Sequence, residues 1–150
     1  MTALSTARAR ALPLLDRFAW VGPLLARLVI GSVFVTSGWG KLHNIPKVVD
    51  YFTELGIPAP GIQAPFVAGV EFSCGLAVQL GFLTRLAALP LIGTMTVALL
   101  TALRSQIGSF DDLTGIPEFL YIVILVLLIT HGAGALSVDR LLFRRSRPAG

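Results

Sequence analysis

Cysteine is almost missing from this chain: Cys74 stands alone. That excludes an intramolecular disulfide, a CxxC pair and a cysteine metal centre. Charge is scarce as well. Asp, Glu, Lys and Arg make up 13% of the 150 residues, where soluble domains carry roughly 25%, so the chain lacks the charge that a soluble surface needs. Histidine is limited to His43 and His131. His43 lies just outside the first apolar run, while counting from Pro117 at ~1.5 Å per residue puts His131 roughly 20 Å deeper. The two cannot ligate one haem within a subunit, so no metal site and no intrinsic cofactor are expected. Nor does the sequence contain GxGxxG, a P-loop, HExxH or GxSxG.

What is present is apolar. Hydrophobic residues make up 55% of the chain, the mean hydropathy is +0.81, and the apolar residues come in long blocks. This composition predicts an all-α integral membrane protein, one domain over residues 1–150, built as a four-transmembrane-helix bundle. The spans fall at about 24–41, 64–82, 86–103 and 117–136. Pro90 is expected in the first turns of the third span, where it is best tolerated. Basic tails flank them at 1–20 and 138–150. The first tail predicts a short interfacial helix, with Leu12, Leu15 and Phe18 at helical spacing among Arg8, Arg10 and Arg17. Between the first two spans, Ile45, Val48, Val49, Phe52 and Leu55 share one face of a second short helix, with Lys47, Asp50 and Glu54 off it. Asn44 is its expected cap and Pro46 sits in its first turn. Such a helix lies on the membrane or caps the bundle.

The net charge is +4, but the positive residues gather at the ends of apolar segments, which points to membrane topology rather than nucleic acid. Arg8, Arg10, Arg17 and Arg27, Arg85 in the middle turn, and Arg140, Arg144, Arg145 and Arg147 all fall on one side. The positive-inside rule therefore places both termini in the cytoplasm of a cell with this protein in its inner (plasma) membrane. The tail arginines also suit anionic lipid headgroups.

Glu71 is the leading candidate for function, because a carboxylate inside an apolar run must face a partner, a cavity or the bundle interior. It falls roughly 10 Å below the outer interface. Lys41, at the outer end of the first span, can reach down to it, and Thr36 and Ser37 lie at similar depth. Two readings stand: an ion pair that locks two helices, or a group that handles a proton or a ligand. Arg27 and Lys41 are expected to snorkel to opposite interfaces, and Trp39 falls where an interfacial aromatic belongs. Gln79 lies within the second span, and His131 is expected to bond a neighbouring backbone group or Gln79. Asp111 and Asp112 read as solvated or capping residues. Two small-residue rows, Ser32–Thr36–Gly40 and Gly69–Ser73–Ala77–Gly81, predict close helix contacts, and with them a protein partner or homo-oligomer.

Four stretches in order, RLVIGSVFVTSGWGKL, YFTELGIPAP, VEFSCGLAVQLGFLTRLAAL and the final GALSVD, resemble the DoxX family of small four-helix membrane proteins across residues 27–139. The resemblance implies a four-helix membrane fold and a link to oxidoreductase systems, in which relatives serve as membrane subunits of quinone-linked sulfur oxidation and of redox-stress complexes. With no cofactor of its own expected, any electron transfer would use a bound quinone or a partner protein. The positions matching the family's polar pattern are Arg27, Gly38, Lys41, Glu71, Gly75, Gly81, Thr84, Arg85 and Asp139. Taken with the polar residues read from the spans themselves, the ligand-binding candidates are Arg27, Trp39, Lys41, Glu71, Gln79, Arg85 and His131. Other functions that fit are a structural or assembly subunit without catalysis and a small transporter or lipid-handling protein, although four spans are few for alternating access.

Overall fold

A computed structural model describes residues 17–134 and 136–143. All regular structure among them is helical: α1 (Val21–Leu42), α2 (Ile45–Glu54), α3 (Pro60–Leu80), α4 (Thr84–Leu100), α5 (Phe110–Gly115), α6 (Pro117–His131) and α7 (Val138–Phe143), with a 3-10 turn at Arg104–Gln106. Helices α1 and α3 are long and apolar enough to cross a membrane, and α4 and α6 are shorter apolar helices.

A helix occupies each of the four expected apolar runs, with shifted ends. Helix α3 begins four residues early because Pro60 fits a first helical turn. Helix α6 stops at His131, well short of residue 136, because Gly132 and Gly134 both take φ of +80°. Pro90 is the seventh residue of α4, within its first two turns as expected. The tail beginning at residue 138 opens as helix α7. Most of the expected N-terminal interfacial helix, and Arg144, Arg145 and Arg147, lie outside the described residues; Arg17 is helical and residues 18–20 form the turn into α1. Asn44 occupies the N-cap position of α2, but its side chain does not cap that helix. Its Nδ2 donates instead to the Gly40 carbonyl at 3.1 Å, serving the end of α1.

The four long helices close a ring in which α1 packs on α3, α3 on α4, α4 on α6 and α6 on α1. The α1–α3 contact is the most extensive of these, and glycine makes it possible. A Cβ at Gly31 would lie 2.6 Å from Gln79 Cβ, one at Gly75 2.7 Å from Phe34 Cβ, and one at Gly38 2.4 Å from the Phe72 amide nitrogen. The expected small-residue rows are not this seam. Ser32, Thr36, Gly40 and Ser73 are exposed, a Cβ at Gly40 or Gly69 would meet nothing within 4 Å, and the Ser32 and Thr36 hydroxyls bond back to their own helix at 2.7 and 2.8 Å. Both rows were chosen on four-residue spacing. The true seam uses seven-residue and mixed spacings around large residues, and carries Phe34 and Phe72 between its glycines. Inside the ring, Ile30, Phe34, Val78, Leu91, Leu125 and Leu128 form the fully buried core.

Helices α2 and α5 and the 3-10 turn lie at one end of the ring, the loop end. The α3–α4 turn and α7 lie at the other, the turn end. That turn is a Schellman arrangement: Phe82 N–H donates to Ala77 O at 2.8 Å and Gly81 N–H to Val78 O at 3.1 Å, with Gly81 at φ +73°.

Candidate functional site

At the loop end, Glu71 is 1% exposed. Lys41 Nζ donates to both of its carboxylate oxygens, and Ser37 Oγ donates to Oε2 at 2.8 Å. The elements explain the meeting. Gly38 and Gly75 let α1 and α3 approach, so Ser37 and Lys41, one turn apart on α1, face Glu71 on α3. Lys41 keeps 29% of its side chain exposed. The acid is thus buried and anchored, while its cation remains partly free.

That partial exposure opens into a cavity of about 730 Å³, within the ~300–1,000 Å³ range of small-molecule sites. Val33 and Phe34 of α1 and Val67 and Val70 of α3 form one flank. Pro90, Gly93 and Thr94 of α4 line it from the other side, and Tyr121 of α6 stands beside Phe34, their rings edge to face at 6.2 Å. Val48, Phe52 and Leu55 of α2 roof it, so the amphipathic helix caps the bundle. Lys47 and Glu118 also line it, from the loop end. The chamber is mostly apolar, with one anchored ion pair in its wall, so it has room for an apolar ring and one strong donor to offer it.

Of the sequence candidates, Lys41 and Glu71 line this cavity and the others do not. Trp39 is exposed and packs on His43 and Phe72 at 4.2 and 5.6 Å, as an interfacial aromatic would. Thr36 faces outward, away from Glu71. Gln79 Nε2 donates to Ser32 Oγ at 3.0 Å rather than to His131. His131 Nδ1 lies 3.2 Å from the Leu127 carbonyl of its own helix and 3.1 Å from Thr130 Oγ1. Tyr121 and the Pro90–Gly93 pair were not anticipated as site residues. A proline and a glycine three residues apart in an apolar helix were the available signal.

Arg27 and Arg85 sit at the turn end. Arg27 does not snorkel: it is 4% exposed, and Nη1 donates to Ala133 O at 3.0 Å. Asp139 faces it in charge and accepts from the backbone N–H groups of Leu83 and Thr84 at 2.7 and 3.2 Å. The Asp139 N–H donates back to Gly81 O at 2.9 Å. A Cβ on Gly81 would fall 2.2 Å from Arg27 Nη1. Arg85 donates weakly to Thr130 O at 3.4 Å. These bonds tie α1, the α3–α4 turn, the end of α6 and α7 together. Among the described residues, buried Arg27 Nε and Thr84 Oγ1 have no hydrogen-bond partner.

Asp112 is a cap, as expected. It completes a capping box with Ser109 at the start of α5. The Ser109 hydroxyl first, then the backbone N–H groups of Gly108 and Ser109, hold its carboxyl below the ordinary carboxylate value.

Comparison with known proteins adds the following. The DoxX family profile matches residues 22–104, and a profile described as "TQO small subunit DoxD" matches residues 64–149. The chain is 35% identical over 128 residues to inner membrane protein YqjF of Escherichia coli (strain K12), covering 83% of this chain and 95% of that protein. It is 35% identical over 135 residues to membrane protein Rv3486 of Mycobacterium tuberculosis (strain ATCC 25618 / H37Rv), covering 83% of each. Identity is 28% over 130 residues to a Bacillus subtilis (strain 168) protein named "Putative oxidoreductase CatD", covering 83% of this chain and 89% of that one. No solved structure matches.

Proposed function

The chain belongs to the DoxX family of integral membrane proteins and resides in the inner (plasma) membrane, and on that premise we propose that it is a quinone-associated membrane subunit of an oxidoreductase system. The observation that carries this reading is the 730 Å³ cavity with the Lys41–Glu71 pair in its wall. All four long helices cross the membrane, with both termini cytoplasmic. Arg27, Arg85 and Arg140 lie at the turn end, which supports placing that end on the cytoplasmic side. The cavity then opens in the outer half of the bilayer.

The cavity residues suit a quinone. Phe34 and Tyr121 provide apolar faces for a flat ring. Lys41 has a proton left to donate to a ring oxygen, and Glu71 holds that ammonium charged and in place. When bound, the quinone supplies two-electron chemistry that this chain's side chains lack. The names of the DoxD and CatD relatives support a redox setting and a larger complex, in which electrons come from a protein partner.

Titration of the purified protein with a short-tailed benzoquinone tests the reading. Saturable one-to-one binding is expected, together with quinone in extracts of the native protein. No saturable binding, and no quinone in the extract, would overturn it. A second reading, a structural or assembly subunit, is favoured by one observation. The open row around Gly40 and Gly69 on α1 and α3 has no facing neighbour among the described residues, so another helix fits there. Copurification of one stoichiometric membrane protein with no bound small molecule would support it instead.

A further inference from the structure

The cavity walls differ, and the difference identifies the kind of ligand. Under α2 the chamber is roofed by apolar side chains and its edge is polar, since Lys47 and Tyr51 line it and are exposed. Val48, Phe52 and Leu55 turn inward and are half-buried, and Ile57, just after α2, is 8% exposed. Between α3 and α4 it is open. Phe66 lines the cavity yet is 66% exposed on the outside of the molecule. Val97 lines it from the facing helix and is 48% exposed. Pro90 also lines the cavity and is exposed. These apolar residues belong to both the lining and the outer surface and mark an apolar cleft through the wall, where the edge at Lys47 and Tyr51 is polar.

The cleft has a cause in the fold. Helices α3 and α4 are fastened at the Schellman turn, and α3 gives most of its contact surface to α1, so the pair separates away from the turn. Pro90 removes a backbone donor from α4. Gly93, one turn on, leaves open space where a side chain would stand: nothing lies within 4 Å of its Cβ position. The outer surface beside the cleft is apolar, with Ile62, Leu86, Leu89 and Leu100 all exposed. In a protein of this family that surface faces lipid, so the cleft opens to hydrocarbon and not to water.

From this we infer that the site takes a tailed amphiphile from the bilayer, its polar ring held at Lys41, Ser37 and Glu71 and its apolar tail leaving through the cleft between Phe66 and Val97. This rests on the quinone-site reading and narrows it to membrane-borne quinones with long side chains. Small water-soluble aromatics are not the ligand. A sealed chamber of this volume would reject a head group once its tail outgrew the space. An open cleft is indifferent to tail length.

The test is a series of benzoquinones with one head group and increasing alkyl tails, bound to the full chain in nanodiscs, with affinity expressed per mole fraction in the lipid. For the unaltered protein, affinity is expected to vary less than about threefold along the series. In Val97→Trp the longest tail should lose at least about tenfold more affinity than the shortest. Tenfold loss along the series in the unaltered protein would show a sealed chamber and overturn the proposal while leaving the quinone site in place. Equal loss of every member in Val97→Trp would overturn it in the same way. If no member binds the unaltered protein, the site reading itself falls and the cleft with it. The unaltered-protein series decides the question even if Val97→Trp fails to insert.

Discussion

Each end of this molecule holds a buried charged group from one helix and an opposite charge from elsewhere, and the two ends use them differently. At the turn end, Arg27 bonds to a carbonyl and Asp139 to backbone amides; Gly81 leaves no room beside them. At the loop end, Lys41 and Glu71 bond to each other, and a cavity lies beside them. Charges that satisfy backbone groups fasten a chain. A pair that is satisfied internally and faces open space remains available to a ligand. The matches to the family's polar pattern divide accordingly, with Arg27, Gly81, Thr84, Arg85 and Asp139 at the fastening and Gly38, Gly75, Lys41 and Glu71 at the site.

The strongest way to break this comparison is to remove one charge at each end. Asp139→Ala strips the acceptor from two backbone amides and leaves Arg27 buried without its counter-charge. A loss of about 3–5 kcal/mol is expected, read as a fall in the melting temperature of the detergent-solubilised protein. Ligand affinity per folded molecule should not change. Lys41→Met should also cost several kcal/mol, because Glu71 at 1% exposure has no route to water, and here binding should be lost as well. Equal loss of affinity in both variants would erase the distinction between the ends.

Next in size is the α1–α3 seam. Gly38→Ala places a methyl 2.4 Å from the Phe72 amide nitrogen. Backbone must move, at about 1–3 kcal/mol. Gly40→Ala, two residues on and facing open space, should stay within about 0.5 kcal/mol or stabilise slightly. Equal effects in thermal melts would mean that the two faces of α1 are wrongly distinguished.

Glu71→Gln is milder. Lys41, 29% exposed, can turn outward once its partner is neutral, so the stability cost should be about 1 kcal/mol. Affinity for the quinone should fall, since Lys41 is no longer held in place. A fully active and fully binding variant would reduce the pair to a helix lock.

The smallest effect belongs to Asp112. Its folded carboxyl titrates below the ordinary value of 3.8. The stabilisation of α5 is therefore fully present above that value and is lost as pH falls through the lower, folded one. Asp112→Asn should remove this acid-limb dependence from pH-resolved melts and lower the melting temperature slightly near neutrality, where the carboxylate's contribution is fully present.

Much of the architecture was legible in the sequence. Four apolar runs became four apolar helices, the periodicity of Ile45–Leu55 marked an amphipathic helix at the bundle's edge, and an isolated carboxylate pointed to a partner, for which Lys41 was within reach. Their exact ends were harder to read, because glycines at positive φ and prolines at first turns decide them one residue at a time. Spacing misled where it ignored what stood opposite. The Ser32–Thr36–Gly40 row has the right residues on the wrong face, and only the packed partner reveals that Gly31, Gly38 and Gly75 are the seam. Arg27 read as an interfacial snorkel because its acceptor, Ala133 O, is 106 residues away. The cavity was illegible for the same reason: empty space among five helices leaves no mark in one of them, apart from the Pro90–Gly93 break.

The most direct test of the central claim, that the loop-end cavity is a binding site, is the affinity of Gly93→Leu for the short-tailed benzoquinone. Nothing lies within 4 Å of the Gly93 Cβ position and the residue lines the cavity, so leucine fills the space without touching Lys41 or Glu71. The expected result is a protein that inserts and melts normally but binds at least about 30-fold more weakly, a loss of about 2 kcal/mol. Undiminished binding by a well-inserted Gly93→Leu protein would contradict the claim and place the ligand, if any, elsewhere.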